Sequence, residues 1–490
     1  MTDVDNESSE SEQRRLCADC IGEAFLRAET ERLGDERKCD YCGEIGATLT
    51  IGELADYVDT AFEHHYRRTA TEPTSLESTM MKETDYDWHR EGEQAAYAIA
   101  NAAEIDEEPA EDIRSVLDER HSNFESAQMG EETEFDDEAH YAEKDTDDIE
   151  YRENWRYFEN SVKTEGRFFS AVAEATLQDV LEGLADHRSP EGKPVIVEAG
   201  PDTRMVSLYR ARVFQSSEIL EAALGRPDLH IGPPPATLAK AGRMNAYGIS
   251  VFYGATAPEI AIGEVRPPVG SRVVVGEFIL LRKVRLLDVN SLRSVYIKGS
   301  VFDSTYVRRL ERAKFLERLS ERISLPVMPE HEPLEYLVTQ VIADYLASRT
   351  DPALDGILYP SAQGTGGANV MLFHKASRVA MLNLPQGSDI RVWTGHSTED
   401  GWETDYSVWE EVPPSKPNGD EDEMGPFGFP RFADVLSPPF PSIDGSDTRE
   451  PTRALKIEAV NVHHVTAARY DTTSYPVGRH RSQKGEETLF

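Results

Sequence analysis

Four cysteines near the N-terminus constrain the fold of this chain more than any other feature of its sequence. They form two C-x2-C pairs, Cys17 with Cys20 and Cys39 with Cys42, and the 490 residues contain no other cysteine. Two such pairs can bring four thiolates to one tetrahedral ion, and Zn²⁺ prefers that ligand set. Redox or disulfide use is the alternative for this spacing. We therefore predict a closed, structural zinc site, in which Gly43 suits the tight turn after the second pair.

The charge of the chain is concentrated in its N-terminal third. The formal net charge is −39, and residues 1–150 hold 44 acidic but only 13 basic side chains. Binding to nucleic acid draws on a surplus of lysine and arginine, so we expect no direct nucleic-acid partner. An acidic surface favours solubility and a basic partner, and it is also general in proteins of high-salt organisms.

The sequence predicts neither a leader nor a membrane anchor. The first thirteen residues are polar and acidic, without the apolar region of a signal peptide. No run approaches the ~20 apolar residues of a membrane span. We therefore expect a soluble, cytoplasmic protein.

Composition and periodicity divide the chain into an N-terminal helical part and a mixed α+β part. We predict a disordered tail over 1–13, a zinc-bearing helical domain over 14–150 that ends in an acidic linker from 130, and connecting helices over 151–204. The α+β domain is predicted over 205–475, with a Pro/Gly/Asp-rich insertion at 413–451 and a tail at 476–490. Its strand candidates are Val195–Glu198, Val206–Val213, Ser250–Tyr253, Val273–Leu281, Arg285–Val289 and Ala454–Tyr470.

Within the α+β domain, three distant segments hold polar residues beside strands or glycines. They are Tyr209-Arg210-Ala211-Arg212, then Gly242-Arg243-Met244-Asn245 with Tyr253 and Glu264, then Pro360-Ser361 followed by Asn369 and Phe373. Each residue alone is weak evidence, because a surface arginine or carboxylate is usually only solvated. Gathered in one pocket, two arginines and a carboxylate would suit a dianionic substrate whose reaction develops positive charge. That combination indicates nucleotide chemistry.

These segments resemble the RES family, whose domains are toxins of bacterial toxin–antitoxin systems with a fold similar to ADP-ribosyltransferases. The aromatic-Arg strand is matched by Tyr209-Arg210, the Gly-Arg loop by Gly242–Asn245, and the helix with the glutamate by Ala261–Val265; Pro360-Ser361 and Asn369-Val-Met-Leu-Phe373 match the closing segments. The cysteine-bearing region is similar to the HEPN/RES N-terminal domain. Met244 departs from the tryptophan usual in the loop, and Arg212 competes with Arg210 for the first arginine's role.

The resemblance implies that NAD is the substrate and that its nicotinamide–ribose bond is cleaved. In this reading Glu264 stabilises the transition state, Arg210 and Arg243 hold the pyrophosphate, and Tyr253, Ser361 and Asn369 place the substrate. The acceptor stays open: water, phosphate, or a protein or small molecule, which would make the enzyme an ADP-ribosyltransferase. A separately encoded antitoxin is expected as partner, and homo-oligomerisation is left open.

Two rival functions come from other classes. HEPN ribonucleases use an Arg-x4–6-His motif, and Arg114 and His121 have that spacing, although an acidic domain is a poor RNA binder. The other rival is an interaction protein that keeps the fold without activity. The retained set of Arg, Tyr, Glu and Ser residues argues against it.

Overall fold

The computed structural model describes residues 11–122, 132–324, 327–328, 330–361, 366–399, 401–414, 447–469 and 472–480. The chain divides into two compact units, each formed from two stretches of sequence. The first comprises Met1–Ile196 with Asp288–Tyr345, and the second Val197–Leu287 with Leu346–Phe490. Residues 288–345 therefore group with the first unit, although they follow five strands of the large sheet in sequence.

The secondary structure mixes helices and strands along the whole chain. The helices are α1 Ala24–Leu33, α2 Ile51–His65, α3 Ser75–Glu83, α4 Ala95–Ala103, α5 Glu107–His121, α6 Ile149–Thr164, α7 Ala171–Val180, α8 Ser217–Gly225, α9 Pro227–His230, α10 Pro258–Glu264, α11 Tyr306–Ser324 and α12 Glu332–Ser348. The strands are β1 Arg15–Cys17, β2 Asp35–Lys38, β3 Ile45–Thr50, β4 Tyr66–Arg68, β5 Glu93–Gln94, β6 His140–Glu143, β7 Ile196–Ala199, β8 Ser207–Phe214, β9 Phe252–Ala255, β10 Arg272–Leu280, β11 Val284–Asp288, β12 Gly356–Pro360, β13 Ala368–Leu372, β14 Val379–Ala380, β15 Asp389–Trp393, β16 His396–Thr398, β17 Gly401–Glu403, β18 Ser407–Glu411 and β19 Arg453–His464. This confirms the predicted mixed α+β class.

The first unit begins with a small antiparallel sheet of order β1-β3-β2, which carries the cysteines. Helix α2 follows β3 directly and starts with a capping box, in which the Thr50 hydroxyl accepts from the N–H of Glu53 at 3.1 Å and the Glu53 carboxylate accepts from the N–H of Thr50 at 2.8 Å. The apolar face of α2 packs with α4 and α5 in one buried core. The core includes Ile51, Val58 and Ile113, all at most 1% exposed.

The acidic run at 130–150 is a correction to the sequence prediction of a solvated linker. Its residues 140–143 form β6, which pairs with both β4 and β5. Phe135 and Tyr141 are 2% and 6% exposed, and their rings stack with centroids 5.2 Å apart. Glu134 and Glu138 are exposed while these aromatic rings join the core, so charge density concealed a partly buried segment.

The second unit is built on a sheet of order β14-β19-β10-β8-β9-β13-β12-β11-β7. Strand β10 is the third strand in this order. It pairs antiparallel with β8 from Arg272–Phe214 to Ile279–Ser207, and with β19 on its other side. Strands β9, β13 and β12 form a second antiparallel group. The two groups meet at one ladder pair, Tyr209 on β8 opposite Ala255 on β9. The sheet is therefore nearly divided in its middle.

The two faces of this sheet pack against different apolar clusters. Leu208, Phe252 and Phe278 belong to the cluster on one face. Ala211, Ala255 and the residues Ile260 and Ala261 of α10 belong to the cluster on the other. Because side chains alternate along a strand, neighbouring residues of β8 and β9 are committed to opposite faces.

Of the remaining predictions about secondary structure and domain limits, one strand boundary is corrected, and several segments lie outside the described residues. Strand β9 runs from Phe252 to Ala255, so Tyr253 lies inside the strand rather than at its end. Most of the predicted N-terminal tail, most of the 413–451 insertion and the last ten residues fall outside the described part of the chain; residues 11–13 are helical. None of the helices in the described part has the length and apolar character of a membrane span.

Candidate active site and cysteine cluster

Strand β9 is the common neighbour of the predicted site residues. Arg210 lies on β8, opposite Gly276 of β10, and its Nη1 donates to the carbonyl oxygen of Tyr253 at 2.7 Å. This contact spans the gap between β8 and β9 next to their one ladder pair. The arginine side chain thus occupies the place where the two halves of the sheet come apart.

Among the described residues, no carboxylate forms an ion pair with Arg210. Its guanidinium carbon lies 5.3 Å from the centre of the Phe252 ring, and its Nε is buried without a hydrogen-bond partner. Burial, and then the neighbouring charge of Arg212, lower the pKa of Arg210 to about 10. Arg210 is half-buried and still protonated at neutral pH, so a partly desolvated cation is available to an anion.

A second cation, which is fully buried and which sequence analysis missed, lies against the same ring. The Arg453 guanidinium carbon is 3.7 Å from the Phe252 centroid, and its side chain is 0% exposed. Among the described residues it donates to the carbonyl oxygens of Ala376 and Ser377 alone. Burial, followed by the charges of Arg210 and Arg449, lowers its pKa. No sequence signal marked Arg453, since it stands at the head of an ordinary strand pattern.

The loop that carries Arg243 is held in place by Tyr253 and Asn245. The hydroxyl of Tyr253 donates to Asn245 Oδ1 at 2.9 Å and accepts from the N–H of Met244 at 3.2 Å. A Cβ at Gly242 would lie 2.7 Å from Asn245 Oδ1 and 3.0 Å from the Tyr253 hydroxyl, so glycine is required there. Met244 is 2% exposed and its side chain belongs to the interior, and Arg243 is half-buried.

Glu264 is the last residue of α10, and it is exposed. Its Oε2 accepts a hydrogen bond from Asn369 Nδ2 at 3.1 Å, and no ion pair neutralises it among the described residues. Asn369 is 2% exposed, and its Oδ1 is buried without a partner. A carboxylate at a helix C-terminus meets the negative end of the helix dipole, which is an unfavourable place for it.

The structure gathers the predicted residues around β9 but does not join them all. Tyr253 connects Arg210, through its carbonyl, with the Arg243 loop, through its hydroxyl. Glu264 and Asn369 form a separate pair, and Asn369 faces Ala255 across the ladder. Arg210 shares the face of Leu208, whereas α10 packs on the face of Ala211. Ser361, half-buried, directly follows β12. Arg212 is exposed and donates to the carbonyl of His230.

The four cysteines of the first unit converge as their spacing predicts. One ligand atom from each of Cys17, Cys20, Cys39 and Cys42 lies within 4.8 Å of the others, and Cys17 Sγ is 3.5 Å from both Cys20 Sγ and Cys42 Sγ. Zn–S bonds of about 2.3 Å give tetrahedral sulfur–sulfur edges of roughly 3.8 Å, so this cluster fits the ion. Gly43, with φ +82°, makes the turn after the second pair.

The thiols of this cluster differ in basicity. Burial raises the pKa of Cys17. Burial also acts on Cys39, but backbone hydrogen bonds from Cys42, Tyr41 and Cys17 outweigh it and lower its pKa to about 7. The four residues could hold a metal ion. The thiol of Cys39 is more readily deprotonated than that of Cys17.

Comparison with known protein families identifies the class of domain in which these site residues lie. Residues 207–394 match the family model of the RES domain, so the chain contains a RES domain and the predicted resemblance is confirmed. RES domains are in general associated with NAD-utilising enzymes and with toxin function. No curated protein and no solved structure matches the chain significantly.

Proposed function

We propose that this RES domain binds NAD and breaks its nicotinamide–ribose bond. The observation that carries the proposal is the family match, because residues 207–394 include all six predicted site residues: Arg210, Arg243, Tyr253, Glu264, Ser361 and Asn369. The near-division of the sheet between β8 and β9 agrees with the ADP-ribosyltransferase-like fold that the resemblance implies. That fold assignment is part of the proposal.

The pyrophosphate of NAD would supply the anion that Arg210 lacks. A planar guanidinium offers two parallel N–H donors to phosphate oxygens, and desolvation strengthens that interaction. Arg453, fully buried against the Phe252 ring, would add positive potential without touching the ligand. Arg243 would complete the clamp from its loop, which Tyr253 holds in position, and Arg210 would reach the ligand through the gap between β8 and β9. In this assignment Tyr253 positions the arginine loop as well as contacting the substrate ribose, and Ser361 donates to the substrate.

Glu264 would stabilise the reaction itself. When the C1′–N bond breaks, its electron pair leaves with nicotinamide as a neutral base, and the ribose becomes an oxocarbenium-like cation. An unneutralised carboxylate stabilises that cation more than the ground state. The hydrogen bond from Asn369 fixes the orientation of one carboxylate oxygen. A nucleophile then adds to C1′: water gives ADP-ribose, and phosphate gives a phosphorylated ADP-ribose.

The biological consequence we propose is depletion of NAD by a toxin that a separately encoded antitoxin restrains. An ADP-ribosyltransferase with a protein or small-molecule acceptor is the second candidate, because the same cation would be captured by a different nucleophile. The ribonuclease alternative finds less support in the geometry. Arg114 is 8% exposed and is held by Glu111 and the carbonyl of Phe135, while His121 lies between Asp59 and Glu134.

For the cysteine cluster we propose a structural zinc ion. Cys17, Cys20, Cys39 and Cys42 would hold it as thiolates, and four sulfur ligands leave no open position for a substrate. The ion would supply a cross-link between β1 and the turn after β2. Its effect would be on the stability of the first unit rather than on the NAD reaction.

Release of nicotinamide from NAD by the purified full chain tests the function. Glu264→Gln keeps the size of the side chain and the Asn369 contact but removes the charge, so we expect kcat to fall about 100-fold or more with little change in KM. Glu259→Gln, an exposed glutamate in the first turn of the same helix, is the matched control and should leave turnover unchanged. Product analysis with and without inorganic phosphate identifies the acceptor.

Three outcomes would contradict the proposal. Undiminished nicotinamide release by Glu264→Gln would remove that residue from the chemistry. No turnover of NAD by the wild-type chain would remove the function, and cleavage of RNA by the same preparation would favour the HEPN interpretation.

A further inference from the structure

The hairpin of β15 and β18 in the second unit shows tryptophan on its outer face. Trp393 pairs with Ser407, and Arg391 pairs with Trp409, so these four side chains share one face. The inner face carries Ile390 and Val392, whose methyl groups would lie 3.3 and 3.6 Å from a Cβ at Gly225 of α8. Trp393 and Trp409 are 46% and 68% exposed. An antiparallel pair with one packed face usually has a polar outer face, whereas exposed apolar patches often mark binding sites. The exposed indoles therefore indicate an interaction surface.

The two indoles form a corner of a small pocket. Their ring centroids are 6.4 Å apart and their planes are inclined by 71°. Together with Gly395, His396, Asp405 and Ser407 they line a cavity of about 370 Å³. The pocket therefore has two aromatic walls at nearly a right angle and a carboxylate beside them.

The sequence segment that supplies the lining residues of this pocket is strongly acidic. Residues 389–411 include one basic residue, Arg391, and seven acidic ones: Asp389, Glu399, Asp400, Glu403, Asp405, Glu410 and Glu411. Arg391 is already paired, with Asp389 at 3.1 Å and Glu411 at 3.6 Å. Such a potential repels phosphates and other anions and attracts cations.

We propose that this pocket binds an arginine or lysine side chain from a basic segment of a partner protein. A cation is attracted to the faces of indole rings, most strongly where water is partly excluded, and a guanidinium also stacks on them. Asp405 would accept its N–H groups. Exposed tryptophans surrounded by acidic side chains match a basic partner in both area and charge. A second copy of this chain is disfavoured because its net charge is −39.

The six lining residues of this pocket include none of the predicted site residues of the RES domain. The RES match ends at residue 394, so most of the lining residues, from Gly395 to Trp409, lie beyond the matched region. The inference does not depend on the proposed enzyme activity. It assigns the hairpin to recognition of a protein rather than of a nucleotide.

The test uses the full chain and a synthetic twelve-residue probe, four repeats of Gly-Ser-Arg, titrated by calorimetry and tryptophan fluorescence in about 0.15 M salt. A second probe replaces every arginine by citrulline, which keeps the shape and removes the charge. We expect the arginine peptide to bind and the citrulline peptide to bind at least about tenfold more weakly. Trp393→Ala and Trp409→Ala should each weaken the arginine complex about tenfold, and Asp405→Asn about threefold.

Trp402→Ala is the matched control, since Trp402 is 66% exposed in the same segment but does not line the pocket. It should change affinity less than twofold, and circular dichroism should show that all variants are folded. Absence of binding by the arginine peptide overturns the proposal. So do equal binding of the citrulline peptide, unchanged affinity in Trp409→Ala, or preferential binding of a single-stranded oligonucleotide.

Discussion

Buried arginines of the two units are treated in opposite ways. In the first unit, Arg312 is 8% exposed and contacts Glu182 at 2.6 Å and Asp179 at 3.4 Å. Burial acts to lower its pKa, but hydrogen bonds with Tyr151 and Glu182 more than offset that, and the pKa is raised. Arg114 follows the same pattern with Glu111. These arginines are structural: each is neutralised within its own unit.

In the second unit, Arg210 and Arg453 donate only to backbone carbonyls among the described residues. Both contact the Phe252 ring, and the pKa of each is lowered by burial and by neighbouring cations. Leaving a desolvated charge unpaired is costly for a fold, and perturbed groups of this kind concentrate at functional sites. The comparison indicates that the second unit holds its positive charge for a ligand.

Among the changes that test the structural role of the first unit, we expect removal of the proposed zinc to have the largest effect on stability. Structural metal sites contribute directly to folding, so chelation or Cys39→Ser should lower the free energy of unfolding of the first unit by on the order of 5 kcal/mol. Thermal unfolding with metal analysis by atomic absorption measures it. Ala47→Ser, in the neighbouring strand β3, is the control and should retain both metal and stability. Full stability without metal, or a disulfide found among the four cysteines, would contradict the zinc assignment.

A smaller effect is expected from breaking one neutralised arginine. Arg312→Met leaves Glu182 and Asp179 without their buried partner, so we expect a loss of about 3 kcal/mol in the free energy of unfolding. Arg308→Met on the same helix also loses an ion pair with Asp179, at 3.0 Å, but Arg308 is exposed and should cost less than about 1 kcal/mol. Denaturant titration compares them. Equal losses in the two variants would show that burial of the pair is not what matters.

The sequence predicted local features well and spatial relations less well. Strand β8 was predicted at Val206–Val213 and lies at Ser207–Phe214, because alternation of apolar residues is a local signal. The convergence of the cysteines followed from their spacing alone. Tyr253 accepts a hydrogen bond from Arg210 with its carbonyl oxygen and holds the Arg243 loop with its hydroxyl. Both contacts depend on pairing between distant strands, which a local sequence pattern does not encode. Arg453 was missed for the same reason, because its role depends on its contact with the distant Phe252 ring.

The most direct test of the comparison is Arg210→Met, measured in parallel for nicotinamide release and for thermal unfolding. Methionine fills the space without charge, and replacing an unpaired buried cation should leave the unfolding temperature unchanged or raise it. Turnover of NAD should fall about 100-fold or more, because the pyrophosphate loses its desolvated partner. Arg212→Met, two residues along the same strand but exposed, should change turnover less than about threefold.

This pair of variants also decides which arginine is the first of the site. A folded Arg210→Met protein with little activity and an active Arg212→Met protein is the result we predict. An Arg210→Met variant that loses stability yet keeps its turnover per folded molecule would show that Arg210 is structural, and the contrast between the two units would fail.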